Sequence, residues 1–166
     1  MLNNQQQEWT GHITAENQND FPMILEQLCI AFTRSPFYTH NHLKMRVIDD
    51  QIEGYVEMAP HLIGNVQFQI LHGGVTATIL DSMGGIVAMS ELYRRSTPET
   101  FAETTKKVGK LATLDLRVDY LAPGRGQYFV AKAQVVRLGR KSCVMRMDLH
   151  NDQGTHIATG TASYVY

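Results

Sequence analysis

Apolar positions along this chain follow three different rhythms, and each predicts a different kind of element. Phe21, Ile24, Leu25, Leu28 and Phe32 recur at helical spacing and form one stripe. Asn19 or Asp20 can cap that helix, Pro22 suits its first turn, and Ser35-Pro36 stops it. Residues 42–48 and 52–58 read as strands joined across Asp49-Asp50; in the first, Leu43, Met45 and Val47 alternate with polar residues. Residues 60–69, which contain Gly64-Asn65, read as a loop. The alternation then disappears. From Gly73 to Ser90 every residue except Asp81 is apolar, small or hydroxyl-bearing, which predicts a helix over 73–92 that is apolar all round and therefore interior. The charged stretch 94–107 reads as a mobile connector. Strands are expected over 110–120, 127–138, 142–150 and 156–164, with turns at Pro123-Gly124, Gly139-Arg140 and Asp152-Gln153-Gly154. Residues 1–18 are polar and read as a loose tail.

Strands, one long buried helix and an antiparallel meander give an α+β order with no βαβ repetition. A curved antiparallel sheet wrapped around the long helix satisfies it. Nothing in the sequence marks a linker, so 19–166 is expected to be one domain, with a helix at 19–35 and a core at 40–165. A chain of 166 residues buries roughly 70% of the surface of its unfolded state.

Composition narrows the function classes. A formal net charge of −1 with mixed signs argues against a nucleic-acid partner. The two cysteines, Cys29 and Cys143, have no CxxC spacing and suit a reduced, cytoplasmic protein. The first residues lack a basic and apolar leader pattern. Asp81 and the glycines interrupt the long apolar run, which argues against a membrane span.

His72-Gly73-Gly74 opens that run, and Asp81, nine residues after His72, is its single charge. A carboxylate buried in such a segment costs several kcal/mol unless it is hydrogen-bonded or protonated. Backbone N–H groups at a helix start are unpaired and sit at the positive end of the dipole, and glycine lets a carbonyl approach them. Asp81 could serve as a general base or as a nucleophile. Gly73 and Asp81 are about 12 Å apart along one helix axis, too far to act on one atom. Two helices antiparallel across a two-fold axis would bring Asp81 of one copy beside Gly73 of the other, so a shared reaction implies a homodimer. The alternatives are a tight helix entry and a structural hydrogen-bond network. His72 is read first as a hydrogen-bonder that shapes the turn.

The segment LHGGVTATILDSMGG, with the trailing meander, resembles the hot-dog fold acyl-CoA thioesterases of the PaaI-like branch (phenylacetyl-CoA and 4-hydroxybenzoyl-CoA thioesterase type) across roughly residues 40–165. The resemblance implies hydrolysis of acyl-CoA to acid and CoA, with the Gly73 N–H as oxyanion donor and the partner copy's Asp81 as base or nucleophile. It implies an upstream Asn or Gln that positions substrate or water. Asn65 fits, one position further from His72 than the family pattern, with Gln67 and Gln69 as substitutes. A Ser or Thr on the first strand after the helix corresponds to Thr113. The candidate catalytic set is Asp81, Gly73, Asn65, His72 and Thr113. Arg137, Gly139, Arg140 and Lys141 match the family's charged hairpin and would meet the phosphates of CoA; Arg94 and Arg95 are weaker candidates. The resemblance further implies a dimer that pairs into a tetramer. The helix at 20–34 precedes the minimal core, and either packs against it or walls the acyl pocket.

Other chemistries lack their anchors. No phosphate loop, GxSxG elbow or HExxH spacing is present, so neither a metal nor a separate cofactor is expected; CoA arrives as part of the substrate. A hydratase or dehydratase on the same fold, and a non-catalytic acyl-CoA-binding protein, are the competing readings.

Overall fold

The computed structural model describes Ile13 and residues 20–166. In chain order the elements are α1 Phe21–Thr33, α2 Pro36–His40, β1 Leu43–Ile48, β2 Gln51–Glu57, β3 Ile63–Asn65, β4 Ile70–Leu71, α3 Gly73–Arg94, α4 Phe101–Val108, β5 Ala112–Tyr120, β6 Tyr128–Leu138, β7 Ser142–Asn151 and β8 His156–Val165. Six strands form one antiparallel sheet in the order β1-β2-β6-β7-β8-β5, and α3 packs across it. This is the expected hot-dog fold with an additional N-terminal helix. The expected tail lies outside the described residues except for Ile13, which is buried in the core.

The local chemistry explains the elements. Asp20 caps α1 by accepting the Met23 N–H at 3.0 Å, and the stripe buries Ile24, Leu25 and Leu28. Asp49 and Asp50 both have positive φ, 50° and 58°, which builds the two-residue hairpin turn of β1–β2. The central helix buries Ile79, Leu80, Met83 and Ile86 completely against Phe129, Met145 and Met147 of the sheet. By length and hydropathy α3 is apolar enough to cross a membrane, yet here it is the core of the fold.

Three expectations need correction. Residues 94–107 are not a mobile connector: α4 occupies 101–108, burying Phe101, Thr104 and Val108 on one face, with a Glu103–Lys107 ion pair of 3.0 Å on the other. The high charge of this stretch hid a narrow apolar face. Ser35-Pro36 ends α1 as expected, but Ser35 also caps the five-residue helix α2, which the sequence reading missed. Residues 60–69 are more than a loop. They hold a 3₁₀ turn, Pro60–Leu62, and a two-stranded ribbon, β3–β4.

The two edges of the sheet differ. On β1 the Thr33 hydroxyl receives the Met45 N–H at 3.0 Å and donates to the Met45 carbonyl at 3.3 Å, so α1 closes that edge in part. On β5 the outer edge pairs with nothing among the described residues, and Leu114 is 62% exposed.

Gly84 lies where the Tyr164 side chain crosses α3, and a Cβ there would collide with the Tyr164 hydroxyl. Gly84→Ala is expected to lose about 1–3 kcal/mol in urea unfolding. At Gly85 the nearest atom to an added Cβ is 3.6 Å away, so Gly85→Ala should be neutral or stabilising by up to about 1 kcal/mol. Burial pushes the Cys143 thiol from 9.0 up to about 11 and the Cys29 thiol to about 12. A thiol raised in this way favours the folded state fully below its unfolded value and loses that effect as pH rises through the folded value. Unfolding midpoints should therefore fall between pH 9 and 11, less so in Cys143→Ala.

Candidate active site

The first turn of α3 uses almost all of its own donors. The Val75 and Thr76 N–H groups both reach the His72 carbonyl, at 2.9 and 3.3 Å. The Gly74 N–H goes to Nδ1 of His72 at 2.8 Å, so His72 is the N-cap and its neutral form carries the proton on Nε2. The Gly73 N–H has no acceptor among the described residues. It is the one open donor at the positive end of a 22-residue helix. The turn is held from three sides. His72 donates its N–H to the Leu62 carbonyl at 2.8 Å, Tyr120 donates its hydroxyl to the Gly73 carbonyl at 2.8 Å, and Gly64 lies so close to His72 that a Cβ would come within 2.7 Å of its Cα.

Two turns further on, Asp81 is partly exposed rather than buried, contrary to the reading of an acid inside an apolar run. Its backbone places it on the open side of α3, in a stripe with Gly74, Ala77, Thr78 and Ser82. The sequence hid this stripe because alanine, glycine and threonine fit either environment. Thr113 donates its hydroxyl to Asp81 Oδ1 at 3.0 Å, and Tyr164 donates to the Asp81 carbonyl at 2.7 Å with a longer 3.3 Å contact to Oδ1. Oδ2 has no hydrogen-bond partner among the described residues. Burial, then the negative charge of Asp81, holds the Tyr164 hydroxyl far above the usual tyrosine range, so it remains a donor.

The structure thus brings Thr113 to Asp81 and sets the His72 ring on the Gly74 N–H beside Gly73, but it does not join the two groups. Tyr120 and Thr113 stand at opposite ends of β5, and each end holds one half of the candidate chemistry. Asn65 is engaged elsewhere, because its Oδ1 accepts the N–H groups of Gln67 and Phe68 at 3.1 and 3.2 Å. Gln69 donates to the Val66 carbonyl within the same loop. Arg137, Arg140 and Lys141 form no ion pair among the described residues, and their turn is tied down by Tyr166, which donates to the Gly139 carbonyl at 2.7 Å. The register places that turn at the Asp81 end of the sheet, since Cys143 and Thr113 both pair with Tyr164. Arg94 and Arg95, in contrast, lie on Glu91.

Sequence reasoning missed Tyr164 and Tyr120. The signal for Tyr164 was present in Gly84-Gly85, a glycine pair inside a helix that implies close approach by another group. Tyr120 carried no such signal.

Comparison with known proteins converges on one family. Residues 68–158 match the family model described as thioesterase superfamily. The chain is 41% identical over 106 residues to medium/long-chain acyl-CoA thioesterase YigI of Escherichia coli K12, covering 64% of this chain and 68% of that protein. A crystal structure from Shewanella oneidensis, described as related to the thioesterase superfamily, is 42% identical with a TM-score of 0.82, covering 88% of this chain and 97% of that one. A Bacillus halodurans protein solved with CoA is 26% identical with a TM-score of 0.60, over 90% of each chain.

Loss of the cap measures the role of His72. His72→Ala should cost about 1 kcal/mol in urea unfolding, and His72→Asn, which can accept the same N–H, should stay within a few tenths of wild type.

Proposed function

This chain belongs to the thioesterase superfamily, and from that premise we propose that it hydrolyses medium- to long-chain acyl-CoA to a carboxylic acid and CoA. The observation that carries the reading is the pairing of one open backbone donor, Gly73 N–H, with one partly exposed carboxylate, Asp81, on the open side of the same helix. The identity to the Escherichia coli relative and the CoA in the Bacillus halodurans structure support the substrate class.

The catalytic unit in this reading is a dimer. The bare edge of β5, with exposed Leu114, supports a second copy seated there. The thioester oxygen sits on Gly73 N–H of one copy, where the fixed donor stabilises the charge that develops on it. Asp81 of the other copy takes a proton from water through its unoccupied Oδ2, while Thr113 and Tyr164 hold Oδ1. The water oxygen bonds to the carbonyl carbon, the C–S bond breaks, and the proton passes to the departing CoA thiolate. Arg137, Arg140 and Lys141, unpaired at the Asp81 end, would face the phosphates of CoA. His72 shapes the turn, and Asn65 positions the loop above it.

Release of CoA from a panel of acyl-CoAs tests the assignment. Asp81→Ala should lower kcat by roughly 10²–10⁴; equal hydrolysis by the variant would overturn the role given to the acid. Gly73→Pro removes the donor: His72 already has the extended conformation (φ −64°, ψ 132°) that a following proline requires, and the Tyr120 side chain, 3.3 Å from an added Cβ, must give way slightly. The variant should lose about 10²–10³ in kcat. Mixed after unfolding and refolding together, the two dead variants should regain activity, since half of the dimers formed pair one variant with the other and each of these carries one intact composite site. Single turnover in ¹⁸O water should place the label in the acid product and leave Asp81 unlabelled.

A further inference from the structure

Beside the helix start lies a cavity of about 250 Å³ that none of the roles above uses. It is lined by Gly74, Val75 and Thr78 of α3, by His72 and Leu43, and by Phe37 and Asn41 of the α2 segment. No Lys, Arg, Asp or Glu lines it, and its apolar surface comes from Phe37, Leu43 and Val75. Phe37 is an anomaly for the outside of a protein, being 56% exposed. The next residue, Tyr38, is 3% exposed and packs edge-on against Phe32 of α1 at 6.2 Å. Tyr38 anchors α2 in the core, and so holds Phe37 over the cavity as a rigid wall.

Taking the hydrolysis of acyl-CoA as its basis, we propose that this cavity receives the acyl chain and that Phe37 sets the chain length the enzyme accepts. A carbonyl seated on Gly73 N–H lies next to residues 72 and 74, both of which line the cavity. Of the two groups attached to that carbonyl, the sulfur leads to amides and phosphates, which need polar and cationic partners. The acyl carbon leads to methylenes, which gain by leaving water. The lining suits the second. On the far side of Leu43, itself 2% exposed, the chain meets a different hollow of about 500 Å³ whose lining includes Arg34, Lys44 and Glu57. Leu43 therefore closes the apolar section, and Phe37 limits its width. Of the two roles open to the first N-terminal helix, α1 takes that of packing its stripe on the core, and in this proposal the pocket wall falls to the short helix after it.

Two substitutions at this exposed position leave the core intact and change the cavity in opposite directions. Phe37→Ala should raise kcat/KM for palmitoyl-CoA relative to butyryl-CoA about tenfold, and Phe37→Trp should lower the same ratio by a similar factor, as expected for a methylene or two of pocket contact. In parallel, calorimetric binding of non-hydrolysable thioether analogues of butyryl-CoA and palmitoyl-CoA should show the same opposed shifts in Kd. Superimposable chain-length profiles in all three proteins, or an equal loss at every chain length, would overturn the assignment. Should the wild type hydrolyse no acyl-CoA, the hydrolytic reading fails, while the thioether affinities still decide whether Phe37 measures chain length.

Discussion

The contact on which this architecture depends is the crossing of Tyr164 over Gly84, which delivers a hydroxyl to Asp81 from the strand beneath. It fixes the depth and rotation of α3 against the sheet at the point where the helix carries its charge. Along the rest of its buried face α3 is held by apolar side chains, whose attraction has no direction and would tolerate a small roll of the helix. A roll would carry the carboxylate away from Thr113 and the open stripe into the core. The hydrogen bond prevents it, and it exists only because residue 84 has no Cβ. A glycine that weakens the helix in isolation thus makes the helix position unique.

The other end of the helix is fixed by a different principle. Where the acid is set by one long side chain reaching through the fold, the Gly73 turn is set by local backbone bonding. The His72 carbonyl takes two amides, its ring takes a third, and Tyr120 holds the Gly73 carbonyl. The result is subtraction: every nearby donor is consumed except one. Preorganisation of this kind needs no movement at the moment of reaction.

Much of the fold was legible in the sequence because it rests on periodicity. The amphipathic stripe of α1, the aspartate turn, the uniform apolar run and the strand meander are all repeated signals, and small errors at their ends do not matter. The failures share a physical cause as well. In α4 the charged residues are as many as the buried ones, and one of the buried three is a threonine, so composition masks the face. In α3 the small residues of the open stripe look identical to core residues until neighbours are placed around them. Gly73, His72 and Asp81 stood out as candidates by their motif and spacing, Thr113 came from the family resemblance alone, and the structure brings Thr113 to Asp81 at 3.0 Å. Tyr164 and Tyr120 were not, since a tyrosine late in a strand is ordinary and its reach depends on how the sheet curves. Phe37 belongs with them: only the burial of its neighbour Tyr38 reveals that its exposure is held in place.

The bonding of Thr33 to both backbone groups of Met45 carries a consequence for the behaviour of this protein in concentrated solution. A sheet with two free edges can add copies at both, and the product is an open filament with no natural end. Here a single hydroxyl from α1 takes both outward backbone groups of Met45 and so interrupts one edge, while the β5 edge carries no such cover among the described residues. A pair joined through β5, as proposed above, would present only β1 edges, each interrupted at Met45. One threonine at the end of a helix thereby breaks the row of backbone groups along which further strands would have to pair.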